Sequence, residues 1–198
     1  MSIDPLLIEV PTVLRGEQVL VRLFADADAP GLFEAIEESR EHLAPWMPWV
    51  HAHRSIDDSL AYIRRSQAQW LLRERLPVGI FEASSGVVLG GSGLERIQWE
   101  LRRFEIGYWV RASAEGHGYV QETVKLLTSM AFNVLQANRV EIRMDPRNLR
   151  SERVAQRVGY VFEGTLRNAS VDADGVPAKR HMYALTPSDY ARLDWARS

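Results

Sequence analysis

No cysteine occurs among the 198 residues. Disulfides, thiolate metal sites and a covalent cysteine nucleophile are thereby excluded, and the composition suits a reducing compartment. Long apolar runs are also missing, so no stretch reads as a bilayer-spanning helix. Met1-Ser2-Ile3-Asp4-Pro5 lacks the basic start and apolar run of a signal peptide. Positive charge is not in excess: 24 Lys and Arg face 26 Asp and Glu, a net charge of −2, which argues against a general nucleic-acid binder. No nucleic-acid and no membrane partner is expected, and a cytoplasmic location is the default. Repeats, low-complexity tracts and linkers are absent, which leaves one domain over residues 1–198. Hydrophobic residues at 46% and charged residues at 25% are enough to build one packed core.

The chain is organised around Glu115-Gly116-His117-Gly118-Tyr119-Val120-Gln121-Glu122. Phe104-Glu105-Ile106-Gly107-Tyr108-Trp109-Val110 before it reads as a strand. Leu127, Met130, Val134 and Leu135 after it fall on one helix face. A strand, a glycine turn and a helix aim unpaired N–H groups and the positive end of the helix at an anion. There is no third glycine for a dinucleotide fingerprint and no Gly-Lys-Ser/Thr for a nucleotide loop. Two glycines forming an ordinary tight turn remain the alternative.

The rest of the chain alternates strands and helices. Val19 to Leu23 is a strand, and a helix follows Asp28 with Pro30 in its first turn. Trp46-Met47-Pro48-Trp49 sits in a proline-broken segment, where the tryptophans either cover the core under a loop or wall a substrate cleft. Ser55 opens a helix with the stripe Ile56, Leu60, Ile63 and Trp70. Pro77 to Glu82 and Val87 to Leu94 form a hairpin, in which Gly90, Gly91 and Gly93 indicate a bulge or close backbone approach. Val140 to Met144 is a strand, and Asn148 caps a helix from Leu149 to Arg157 that ends at Gly159. Tyr160 to Arg167 and Ala178 to Ala184 are strands joined by a turn at Asp172 to Gly175. A short helix covers Pro187 to Trp195. The fold class is mixed α/β around one sheet, with hairpins early and helical crossovers late.

Four stretches taken together resemble one family: Trp46-Met47-Pro48-Trp49, Phe104 to Trp109, Gly116-His117-Gly118-Tyr119, and Asn148-Leu149-Arg150-Ser151 continuing through Gln156 to Tyr160. The sequence resembles the GNAT superfamily of acetyl-CoA-dependent N-acyltransferases, and within it the RimJ/RimL group that acetylates amino termini of ribosomal proteins. The resemblance implies a central, mostly antiparallel sheet splayed at the cofactor site and flanked by helices. It implies that N–H groups of His117, Gly118, Val120 and Gln121, in the turn with Gly116 and Tyr119, hold the pyrophosphate of coenzyme A. The pantetheine arm would pair with backbone around Tyr108, Trp109 and Val110, and Asn148 would hydrogen-bond it. Two positions depart from the family pattern, Glu115 and Val120, and Glu115 is expected to face solvent. Ala155 stands where many relatives carry a tyrosine acid; like the RimJ/RimL group, this chain offers Ser151 instead.

The chemistry implied is attack of a primary amine on the thioester, without an acyl-enzyme. Glu105 is the candidate base and resembles in position a base used by histone-acetylating relatives; pairing with an arginine is its alternative role. Ser151 is the candidate donor to the thiolate, or a helix-start serine bonding nearby backbone. Trp46 and Trp49 are candidate acceptor-binding residues, and Arg150 or Arg153 could reach the 3′-phosphate. His42, His51 and His53 are read as solvated loop residues, and no metal is expected. The acceptor is a protein N-terminus or a small amine, the alternative being a cofactor-binding module without catalysis. The assembly is a monomer or homodimer.

Overall fold

The computed structural model describes residues 4–172 and 175–196. One eight-stranded sheet forms the centre. Strands β1 (Val13–Arg15), β2 (Val19–Arg22), β3 (Leu76–Glu82), β4 (Val88–Gln98) and β5 (Arg103–Val110) are successive antiparallel neighbours. β6 (Arg139–Met144) joins β5 in parallel. β7 (Val161–Val171) and β8 (Pro177–Leu185) complete the sheet, with β8 inserted antiparallel between β6 and β7. Helices cover both faces: α1 (Ala29–Glu38), α2 (Arg40–Leu43), α3 (Ile56–Leu71), α4 (Tyr119–Asn133), α5 (Leu149–Val158) and α6 (Pro187–Tyr190). No helix among the described residues is long and apolar enough to cross a membrane.

Burial of both sheet faces explains the sequence of β3. Leu76, Val78 and Ile80 face a core built with Leu127, Met130 and Phe104, while Phe81 joins Phe24, Leu32, Ile36 and Ile63 on the other side. A strand covered on both faces reads as a continuous apolar run rather than an alternating one. The β3–β4 register shifts between Ile80 and Phe81, the bulge that the glycine-rich β4 announces. A Cβ at Gly90 would lie 2.2 Å from the Trp109 carbonyl oxygen. One at Gly91 would lie 2.8 Å from Trp109 Nε1. These glycines therefore let β5 lie close against β4.

The N-terminal segment contributes a 3₁₀ turn at Pro5–Leu7 and β1. Two expectations change. In α3, Ile56 is exposed, and Ser59 and Ser66 share the buried stripe with Ile63 and Trp70, because Ser59 bonds the buried His53. α4 stops at Asn133, so Val134 lies on the surface while Leu135 turns back into the core. Within the expected turn at Asp172 to Gly175, Ala173 and Asp174 lie outside the described residues.

The crowding at Gly90 gives a direct test. Backbone cannot yield as a flexible side chain can, so Gly90→Ala should lower stability by about 3 kcal/mol. Urea unfolding measures the loss, and a change within about 0.5 kcal/mol would contradict this packing.

Candidate active site

The centre of the sheet opens into a V. β5 and β6 pair only from Arg103–Arg139 to Glu105–Glu141. Beyond that, β5 continues to Val110 alongside β4 and β6 continues to Met144 alongside β8. The β6-facing edge of Ile106 to Val110 is left without a strand partner among the described residues. A cleft of about 740 Å³ occupies this gap and is lined by β5, the glycine turn, α5 and the segment around α2.

The glycine turn stands at the head of α4. Gly116 has φ 80° and Gly118, the N-cap, has φ 86°. L-residues rarely adopt these values. A Cβ at Gly116 would meet nothing within 4 Å, and one at Gly118 only Gln18 Nε2 at 3.8 Å. The turn therefore needs glycine for its conformation and leaves open space beside it. No backbone acceptor among the described residues takes the N–H of His117, Gly118, Val120 or Gln121. The rings of His117 and Tyr119 stack at 5.6 Å, and Tyr119 donates to Glu82 at 3.1 Å.

On the opposite arm, Asn148 Oδ1 accepts from Ser151 N–H at 3.1 Å and caps α5 as expected. Gly159 ends the helix at φ 97°. Ser151 lies half-buried on the cleft wall, and its hydroxyl meets the Tyr108 hydroxyl at 2.9 Å. Burial pushes the Tyr108 hydroxyl far above the usual tyrosine range, and the Ser151 hydrogen bond only partly offsets this. Arg153 and Arg157 line the cleft and carry no ion pair among the described residues.

Glu105 does not line the cleft. It points to the same strand face as Gly107 and Trp109, which do, but sits at the closed end of the V. Arg143 Nε lies 3.1 Å and Arg96 Nε 3.4 Å from its Oε2. Neither aims a hydrogen at that oxygen, so the charge is compensated while the atom lacks a hydrogen bond. Burial raises its pKa against the lowering effect of the two arginines.

The two tryptophans divide the roles considered for them. Trp46 lines the cleft, together with His42, Pro45, Met47 and Pro48. Trp49 does not line the cleft; it is 42% exposed and stands edge-on to Trp109 at 6.0 Å and to His53 at 6.1 Å. The wall is fixed from both ends. Ser39 Oγ accepts from Ala112 N–H at 2.9 Å and Glu38 from Ser113 N–H at 2.8 Å, which ties the start of α2 to the end of β5. Arg40 donates to the His53 carbonyl at 2.6 Å and to that of Val50.

Glu115 overturns an expectation. It is half-buried in the cleft lining rather than turned to solvent. His42 Nε2 lies 2.6 Å from its carboxylate, and Arg150 lies 3.6 Å from it and 3.2 Å from His42 Nδ1. The histidines are not a uniform loop set either. His53 is buried against Ser59 Oγ at 2.6 Å, and burial lowers its pKa. Sequence reading missed the His42–Glu115–Arg150 link and the Tyr108 hydroxyl, since their partners lie far apart in the chain. It also missed Asp145, whose carboxylate accepts from Arg147 at 2.9 Å and Arg180 at 3.2 Å below the Asn148 cap.

Free donors at a helix head, an open strand edge and a hydroxyl on the facing arm define a class of protein. Such an arrangement offers room and free donors for an extended, anionic ligand between two strands. The chain belongs to the GNAT acetyltransferase family, whose acetyltransferase (GNAT) domain matches residues 18–161, and it is an N-acetyltransferase. Among relatives, the putative ribosomal N-acetyltransferase YdaF of Bacillus subtilis (strain 168) is 29% identical over 156 residues, covering 77% of this chain and 83% of that protein. The ribosomal-protein-serine acetyltransferase of Escherichia coli (strain K12) is 23% identical over 159 residues, covering 80% and 87%. The microcin C7 self-immunity acetyltransferase MccE, solved with acetyl-CoA and AMP, shares the fold with a TM-score of 0.84 at 22% identity, over 89% of this chain and 97% of that one. RimL, a ribosomal L7/L12 α-N-protein acetyltransferase solved with coenzyme A, does so at 0.81 and 18%, over 88% and 97%.

The Asp145 cluster predicts a pH dependence. Hydrogen bonds from Arg147 are the main reason its pKa falls to about 2. A lowered carboxylate pKa adds stability above the unfolded value, which is lost as pH falls through the folded one. Asp145→Asn should therefore cost about 1–2 kcal/mol at neutral pH after allowance for the exposed Arg147. In denaturant titrations the gap between variant and parent should hold above about pH 4 and close towards pH 2. A gap independent of pH would contradict the assignment.

Proposed function

We propose that this N-acetyltransferase moves acetyl from acetyl-CoA by direct attack onto a protein or peptide N-terminal α-amine, as one domain of residues 1–198 in the cytoplasm. The observation that carries the reading is the parting of β5 from β6 beside a glycine turn with unpaired N–H groups. Coenzyme A fits these residues. The N–H groups of His117, Gly118, Val120 and Gln121 would receive its pyrophosphate, and the space a Cβ would fill at Gly116 is open. The free edge at Tyr108, Trp109 and Val110 would take the amides of its arm, with Asn148 nearby. Arg153 and Arg157 offer cations for the remaining phosphate. When bound, acetyl-CoA supplies the acyl group as an activated thioester.

The chain's own groups then have limited work. At pH 7 an α-amine costs about 1 kcal/mol to neutralise, against about 4.6 kcal/mol for a lysine side chain. A carboxylate acting through water suffices for the smaller burden. Glu105, on the face that Gly107 and Trp109 present to the cleft, takes that role. Gly107 adds no side chain between them. Ser151 Oγ donates a hydrogen bond to the sulfur as it leaves. Trp46 and the Pro45–Pro48 segment bound the side from which the acceptor enters, with Trp49 supporting it. Relatives whose names specify ribosomal-protein acetylation support a protein acceptor.

The direct test is thiol release from acetyl-CoA with two pools, short peptides with free N-termini and small amines. Release with peptides is expected. Release with small amines alone would replace the acceptor class. Silence with both, while coenzyme A raises the melting temperature, would replace catalysis with binding. The absence of cysteine keeps the thiol background low.

Glu105 adds a pH signature. Since burial raises its pKa, the base form is lost at a higher pH than for an ordinary carboxylate, and activity should fall below that limb. Glu105→Gln should reduce kcat about 100-fold and abolish the limb. Wild-type turnover and an unchanged profile would remove Glu105 from the mechanism.

A further inference from the structure

Tyr108 and Ser151 face each other across the V. Tyr108 lies three residues beyond the last β5 residue paired with β6, and Ser151 is the third residue of α5. The Tyr108 hydroxyl meets Ser151 Oγ at 2.9 Å and the Ser151 carbonyl oxygen at 3.1 Å. Ser151 N–H is taken by Asn148. The backbone of Ser151 is thus fixed from both sides, and its hydroxyl shares a partner with its own carbonyl.

We infer that Tyr108 is a positioning residue, whose hydroxyl turns the Ser151 O–H towards the cleft when negative charge develops on sulfur there. The inference rests on the reading of Ser151 as the donor to the leaving thiolate, and it goes beyond the backbone role given to Tyr108. Each hydroxyl carries one proton. When Tyr108 donates to the Ser151 carbonyl, the serine proton points back at the tyrosine oxygen and is unavailable to the cleft. When Tyr108 donates to Ser151 Oγ, the serine proton is free to point at sulfur. Both arrangements use the same heavy-atom positions and differ only by rotation of two O–H bonds. A thiolate favours the second, because hydrogen bonds to a charged acceptor are roughly twice as strong as neutral ones. Tyr108 remains neutral throughout, and no proton leaves it. Phenylalanine at this position keeps the ring but lets Ser151 turn to nearby backbone, as serines near helix starts do.

The experiment combines Tyr108→Phe, Ser151→Ala and the double variant with two readouts. The first is turnover. Tyr108→Phe should lower kcat about 10-fold, with KM for acetyl-CoA within about twofold, and the double variant should lose no more than Ser151→Ala alone. The second is the thiol titration of bound coenzyme A, read as ultraviolet difference absorbance against the complex with desulfo-coenzyme A. A protein without cysteine contributes no thiolate of its own. Wild type should depress the thiol pKa, and each single variant should return it towards the free value. If Ser151→Ala changes both readouts and Tyr108→Phe neither, or if the two effects multiply, Tyr108 has no positioning role while the Ser151 reading stands. If Ser151→Ala changes neither, the Ser151 reading itself fails, and the inference with it. The thiol titration needs no acceptor, so it tests the Tyr108–Ser151 link even if no amine is turned over.

Discussion

A carboxylate with almost no access to water holds the closed end of the V. Glu141 on β6 is 1% exposed. Arg103 from β5 reaches it at 2.8 Å, Arg139 at 2.5 Å and Arg143 at 2.7 Å. Burial alone would raise its pKa, but the hydrogen bonds from these three arginines outweigh that and hold it below the ordinary carboxylate range. The arginines carry the network outwards. Arg143 also faces Glu105 on β5, and Arg139 pairs with Glu163 on β7. Removing one member of such a buried set costs about 3–5 kcal/mol, since the others keep their charge without a partner. Three strands are therefore pinned where β5 and β6 still pair, and the cleft opens from a fixed point.

The same accounting explains how an acidic residue can open the glycine turn proposed to hold a phosphate. Glu115 alone would repel an anion at the head of α4. His42 and Arg150 approach its carboxylate from α2 and α5, on either side of the cleft. The Arg150 guanidinium supplies opposite charge within a few ångströms, and His42 Nε2 stands at hydrogen-bonding distance from the same carboxylate. Val120 poses less difficulty: its side chain lies half-buried against the core, while its N–H faces the turn. Both departures from the family pattern are thus met by packing and pairing around the turn.

What the sequence disclosed and what it hid follow from range. The caps at Ser55, Asn148 and Gly159 and the bounds of β5 are local, and each depends on a few neighbouring residues. The glycine turn was legible because positive φ at two positions leaves few other residues possible. The burial of Glu115 depends on His42, far earlier in the chain, and the Tyr108–Ser151 contact on how far two strands have parted. Neither leaves a periodic trace. Trp46 and Trp49 were indistinguishable in sequence, since both follow a helix in a proline-broken segment. In the fold Trp46 lines the cleft, while Trp49 lies outside it, partly exposed and edge-on to Trp109. α3 misled for a similar reason: spacing places Ile56 in the stripe and it is exposed, whereas His53 supplies the distant partner that lets Ser59 be buried.

Contacts between the two arms also grade with depth. At the closed end they are charged, and every buried carboxylate has more than one arginine. At the mouth they are charged and partly exposed, so water takes over when a pair separates. Between them lies Tyr108–Ser151, a neutral link. An occupant of the cleft must work against whatever bridges it at that depth. Separating a buried ion pair would leave uncompensated charge at a cost of several kcal/mol, whereas an unmet hydroxyl costs about 1–3 kcal/mol and can take a new partner by rotating one bond. Neutral hydroxyls are therefore the polar groups that can span this part of the cleft and turn towards an occupant without leaving a charge unpaired. They are also groups that can redirect a proton without changing the charge of the site.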